Sequence, residues 1–289
     1  MSFIGASRVL LPCSLALAIG SCVLLLYPGP RLSVEFTGGT LMEIQLPDGK
    51  TKEDLATILP ENTSITSTRN GSILIRSRVL GNEEHRAIGE QIEKQLGPSP
   101  ELQFTTIGPT VGRSLRIRAL WAIAVAAVAI IIYLAFAFRK ITHRLSPWTF
   151  AISAMIATFH DTLITLGIFT IISRFTSFEM DLLFVAGLLS IIGYSVNDTI
   201  VVFDRIRDNI FLDTHREDFS ALAEQSIRQT MTRTINTGTG VMIMLFALFF
   251  FGAESIRWFV LTLIVGTIVG TYSSFFVAIP LLVCRKEKS

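Results

Sequence analysis

Six stretches of the chain are almost continuously apolar: roughly 9–27, 119–138, 148–173, 182–203, 235–251 and 258–283. A helix rises about 1.5 Å per residue and the hydrocarbon layer is about 30 Å thick, so each stretch crosses, or nearly crosses, a bilayer. Lipid offers no partner to backbone N–H and C=O groups, so each is predicted to be a helix. The fifth is short. Extending it back to Met231 brings Arg233 into the span.

Residues 28–118 lie between the first two spans and follow a different pattern. Val34–Leu46 reads as a strand interrupted at Gly38-Gly39, and Pro47-Asp48-Gly49 as a turn. Thr51 caps a short helix reaching about Leu59. Thr63–Arg69 and Ser72–Val79 form a hairpin across Asn70-Gly71. Asn82 caps a helix that runs to Leu96 and closes at Gly97, and Glu101–Ile107 is a last strand. The order β-α-β-β-α-β is that of the ferredoxin-like split unit. The expected fold is therefore an all-α bundle of six transmembrane helices with one inserted α+β ferredoxin-like extracytoplasmic domain. Its parts are 1–27 (N-tail and first helix), 28–118 (the domain) and 119–289 (the other five helices with their loops).

Composition agrees with this reading. Half of the 289 residues are hydrophobic and 17% are charged, where a soluble domain carries about 25% charged. An ordinary soluble enzyme and a disordered chain are both excluded. A net charge of +2, and eleven basic against eleven acidic residues in 28–118, leave no basic face for nucleic acid. Cys13, Cys22 and Cys284 have neither disulfide nor metal-ligand spacing. Residues 28–118 show no nucleophile constellation or phosphate loop, so a docking module is expected there rather than an enzyme.

Charge position sets orientation. With the N-terminus in the cytoplasm, inside segments hold twelve Lys and Arg and the short outer loops hold only Arg174 and Arg257. The positive-inside rule then places both termini in the cytoplasm. Ile19-Gly20-Ser21-Cys22 faintly resembles a lipoprotein cleavage site, but the apolar run continues through Val23–Leu26, so the first helix is read as a retained anchor.

Ionisable groups inside spans are costly and mark function by default. His160-Asp161 lies near the middle of span three, and consecutive residues on a helix point about 100° apart, so the two are not expected to share a face. Asp198 sits in Gly193-Tyr194-Ser195-Val196-Asn197-Asp198-Thr199, whose small and polar residues suit close packing and water entry. A carboxyl there must be paired or protonated. Arg233 begins span five, antiparallel to span four, at a depth where it can approach Asp198. Gly266 and Gly270 give span six a small-xxx-small face, and Gly193, Ser195, Asn197 and Thr199 are expected to pack with it around the charges. Asp204–Asp208 reads as a solvated interfacial cluster. Residues 209–230 read as an amphipathic helix presenting Phe219, Leu222, Ala223 and Ile227 to the membrane or a partner.

These residues resemble the SecD/SecF family of protein-export membrane proteins, within the resistance–nodulation–division superfamily. The resemblance is carried by Val34–Thr40, by His160-Asp161 with Gly167, by Gly193-Tyr194-Ser195 through Asp198–Arg207, and by Gly266–Pro280. Leu32-Ser33-Val34-Glu35 departs from the Gly-Ile/Val-Asp usual in the family. The resemblance implies a non-enzymatic subunit in the bacterial inner membrane, with no cofactor and with protons as the coupling ion. Its implied partners are SecD (separate or fused), the SecYEG channel, YajC and YidC, with translocating preprotein as substrate. It implies that Asp198 carries protons, that Arg233 is its charge partner, and that Asp161 and His160 extend the relay. The rival expectations are a scaffold that only positions SecD or the channel, and an independent exporter of small molecules or lipids.

Overall fold

The computed structural model describes residues 3–47, 49–60, 63–68, 71–139, 146–213 and 218–287. Asp48, Arg69 and Asn70, named above at a turn, a strand end and a hairpin, lie outside them, as do four of the twelve inside basic residues, Lys140, Arg144, Arg216 and Lys288. The described residues divide into two compact units: Met1–Pro30, Ala122–Ile172 and Leu183–Ser289 in one, and Arg31–Trp121 with Ser173–Leu182 in the other.

The first unit is helical. Among the described residues, six helices are long and apolar enough to cross a membrane: α1 (Phe3–Leu26), and those later labelled α5 (Pro109–Ala137), α6 (Pro147–Phe175), α7 (Leu182–Leu212) and α8 (Phe219–Phe251), then the span Glu254–Arg285. The last is composite: a 3₁₀ turn, α9 (Arg257–Ser273), a π-helical turn at Ser274–Ala278, and α10 (Ile279–Glu287). Pro280 has no N–H to offer the carbonyl four residues back, which favours irregular winding just before it. The helices outrun their apolar stretches, because helical bonding continues into water once nucleated. Of the segment 209–230 expected as a separate amphipathic helix, 209–212 end α7 and 219–230 form the first third of α8. Its Phe219, Leu222, Ala223 and Ile227 are buried in the core of this unit with Phe138, Phe150 and Phe203, not laid on a membrane surface.

The second unit holds a four-stranded antiparallel sheet of β1 (Gly39–Gln45), β2 (Ser64–Ser67), β3 (Ser72–Ser77) and β4 (Glu101–Ile107), in the order β2-β3-β1-β4. Met42 and Ile44 of β1 and Ile73 and Ile75 of β3 alternate inward. They meet Leu55 of α3 (Lys52–Ala56), and Ile88, Ile92 and Leu96, one stripe of α4 (Asn82–Leu96). The cap of α4 is Gly81 rather than Asn82, with Glu84 accepting the Gly81 N–H at 3.2 Å. Val34–Thr37 is a short helix, α2, instead of the start of a strand. Ser33 Oγ accepts from Glu35 N, and Gly38 turns the chain with φ of +76° where a Cβ would lie 2.8 Å from Pro109 Cα.

Thr51 and Asp54 form a reciprocal capping box on α3, and the Thr51 backbone and hydroxyl hydrogen bonds hold the Asp54 carboxyl below its usual range. Thr51→Ala should loosen this helix by about 1 kcal/mol, seen as faster amide exchange at 52–56 in the full chain. Because the Asp54 carboxyl is depressed on folding, its contribution is present at neutral pH and lost as pH falls through the acid range.

Candidate functional site: buried carboxylates among three helices

Asp161 of α6 is fully buried and its carboxylate is crowded with donors. Oδ2 accepts from Ser195 Oγ of α7 at 2.5 Å and from Ser273 Oγ of α9 at 2.6 Å. Oδ1 lies 3.0 Å from His160 Nδ1. The neighbours His160 and Asp161 therefore do meet, contrary to expectation. Rotation about the side-chain torsions closes the roughly 100° between their Cβ directions. One carboxylate thus ties three helices together.

Asp198 of α7 is also buried, 2% exposed, but has far less around it. Thr271 Oγ1 of α9 donates to Oδ2 at 3.3 Å. The two carboxylates share neighbours: Ser195 and Asp198 lie one turn apart on α7, and Thr271 and Ser273 lie in the last turn of α9. Thr199 Oγ1 and Ser274 Oγ stand 3.0 Å apart beside them. Thr271 and Ser273 were not singled out as charge partners from sequence. The signal for them was there, as hydroxyls repeating on the glycine face of an apolar span.

Gly266 and Gly270 do what their spacing suggested. A Cβ at Gly266 would fall 2.1 Å from the Ile191 side chain, and one at Gly270 3.1 Å from Ser195 Cβ. The glycines bring α9 against α7 and so place Ser273 and Thr271 at the carboxylates. Gly167 makes a similar close approach on α6, where a Cβ would lie 2.9 Å from Ser21 Cα of α1. Gly167→Val should therefore force α1 off α6 and lower stability by about 1–3 kcal/mol, measured as thermal unfolding in detergent.

Three expected members stand apart. Gly193 and Asn197, four residues apart on one face of α7, are exposed, while Ser195, Asp198 and Thr199 are buried. Helical rotation turns the first pair away, so they do not pack around the charges. Arg233 of α8 is exposed, and among the described residues no carboxylate pairs with it. Where α8 does approach, it does so at Gly238, whose Cβ would lie 3.3 Å from Tyr194 Oη. The antiparallel course of the two spans did not by itself give Arg233 and Asp198 a shared face. No cluster of metal-ligating side chains occurs among the described residues.

The pattern described as "Protein export membrane protein SecD/SecF, C-terminal" matches residues 89–288. The chain is 40% identical to a protein translocase subunit SecF from Thermobaculum terrenum, over 95% of this chain and 90% of that one. It is 34% identical to the subunit of the same name from Anaerolinea thermophila, over 98% and 93%. The chain belongs to the SecD/SecF family. It is thus a multi-pass membrane protein of a protein-transport family, on the SecF side. The crystal structure of SecDF, a translocon-associated membrane protein from Thermus thermophilus, superimposes with a TM-score of 0.88 at 31% identity. That match takes in 99% of this chain but only 39% of the SecDF chain. SecDF in a super-membrane-facing form matches with a TM-score of 0.72 at 30% identity, over 100% and 39%.

Proposed function

We propose that this chain is a SecF-type, non-enzymatic subunit that works with a SecD half to couple the proton-motive force to late-stage export and release of preproteins. It resides in the bacterial cytoplasmic membrane with both termini inside, as the charge bias of the loops supports. SecYEG, YajC and YidC are its wider partners. The sheet order and the α-β alternation support reading the outer domain as a ferredoxin-like split unit on the extracytoplasmic side.

The observation that carries the coupling is the buried Asp198 carboxyl, met by one long hydroxyl contact. A group so weakly held exchanges its proton at little structural cost. Asp161, by contrast, already accepts from two serines and contacts His160, and it organises the helices around the exchanging group. In the cycle, a proton from outside neutralises Asp198. When it leaves to the cytoplasm, the bare carboxylate draws Arg233 towards it and α8 repacks. A potential of 100 mV supplies about 2.3 kcal/mol per charge that crosses, enough to bias two states a few kcal/mol apart. The test is gradient-stimulated release of an exported protein from sealed vesicles carrying Asp198→Asn. Undiminished release removes the reading.

A further inference from the structure

Two acidic residues outside the carboxylate site, Glu35 and Glu179, join the outer domain to the loop between α6 and α7. Glu179 lies in that loop, partly buried, and meets Arg76 of β3 and, at 3.7 Å, Arg31. Arg76 also donates to Leu32 O at 3.4 Å, and Arg31 donates to Ser173 O at 3.1 Å. The backbone doubles the connection: Met180 N donates to Arg31 O at 2.8 Å and Ser33 N to Met180 O at 3.0 Å, with Leu32 and Met180 bridged in parallel. Glu35 then accepts the N–H of Leu182, the first residue of α7, at 2.6 Å. That N–H is one that α7 cannot satisfy itself, and the carboxylate sits at the positive end of the helix. The segment Ser173–Leu182, which is the last turn of α6, the loop and the first residue of α7, accordingly belongs to the same compact unit as the sheet, although it lies more than fifty residues further along the chain.

This arrangement has a mechanical meaning. The loop is the direct covalent continuation of α6, which carries Asp161, and of α7, which carries Asp198. Arg76 lies on a central strand of the sheet. A four-stranded sheet with a packed core moves as a body, and ion pairs plus backbone bonds tie the loop to it at several points. A shift of either helix along or about its axis is therefore delivered to the domain through the loop, and not only through the flexible chain.

We infer that Ser173–Leu182, held by Glu179 to Arg31 and Arg76 and by Glu35 at the start of α7, is the strap that transmits movement between the carboxylate-bearing helices and the outer domain. This rests on the proposed proton coupling and names the part that carries it outward. The strap stays closed through the cycle. Opening it uncouples the two ends without disabling either.

The test uses the full chain assembled with its SecD half in sealed vesicles, with Cys13, Cys22 and Cys284 replaced. In Glu35→Gln/Glu179→Gln, gradient-stimulated release should fall about tenfold, the scale of coupling between sites, while proton uptake into the vesicles stays at the parental level. Adding Leu32→Cys and Met180→Cys and oxidising them should restore release, which a folding defect would not allow. Release that is undiminished in the double variant, or that the cross-link fails to restore, overturns the strap. So does loss of proton uptake together with release, since the residues would then act on the relay. Asp198→Asn in the same vesicles separates the two ideas. If it leaves release intact, the proton reading fails, while cross-linking yield, several-fold higher in the parent than in Glu35→Gln/Glu179→Gln, still reports whether those carboxylates hold the strap.

Discussion

Asp198→Asn should leave the chain folded, inserted and assembled, yet reduce gradient-stimulated release by about 100-fold, a barrier or coupling change near 2.7 kcal/mol. The structural loss is small. One hydroxyl contact of 3.3 Å is exchanged for an amide that still accepts it, a change of under about 1 kcal/mol. The functional loss is large, because an amide neither takes up nor gives up a proton at any working pH. The measurement pairs complex yield from membranes with release from sealed vesicles. If yield and release fall in parallel, for this variant and for Arg233→Leu, the chain is a scaffold and its buried charges serve assembly alone.

Asp161→Ala should behave in the opposite way. It removes the acceptor of Ser195 and the partner of His160, both buried, while Ser273 Oγ keeps Gly270 O at 3.1 Å. Each stranded buried polar group costs about 1–3 kcal/mol, so the two together cost about 2–6 kcal/mol before the cavity is counted. The expected results are a markedly lower unfolding temperature in detergent and a poor yield of assembled complex. Asp161→Asn keeps the shape and one acceptor oxygen, so it should recover most of the stability. Two carboxylates one helix apart thus separate by experiment: one variant spares structure and abolishes work, the other damages structure first.

The sequence carried the six spans clearly, because in lipid a long apolar run has no alternative to a helix. It carried their ends poorly. Hydropathy reports where the oil stops, while hydrogen bonding takes α5 back to Pro109 through Arg113, Arg116 and Arg118 and carries α7 on to Leu212. In the sheet domain, β4 and α4 were legible from turn chemistry and periodicity. Val34–Thr37 was not, since β-branched and aromatic residues suggested a strand where the Ser33 cap and the Gly38 turn decide otherwise. Burial was likewise foreseeable for Asp161 and Asp198, whose charge has no place on a lipid-facing side, but rotation about the helix axis was not. That is why Ser195 was placed correctly, Gly193 and Asn197 were not, and Arg233 stands on an exposed face. Glu179 gave no signal, and Glu35 stood out only as part of a motif and not as a contact, because charges outside a span carry no penalty that would draw attention to them.

The wide turn at Ser274–Ala278 immediately follows the two hydroxyl residues Thr271 and Ser273 that serve the carboxylates. Such a turn holds one surplus residue, so the face that α9 presents is carried into α10 with its phase shifted by about 100°. The hydroxyls therefore stand at the last place where the regular winding of α9 still aims side chains at α6 and α7.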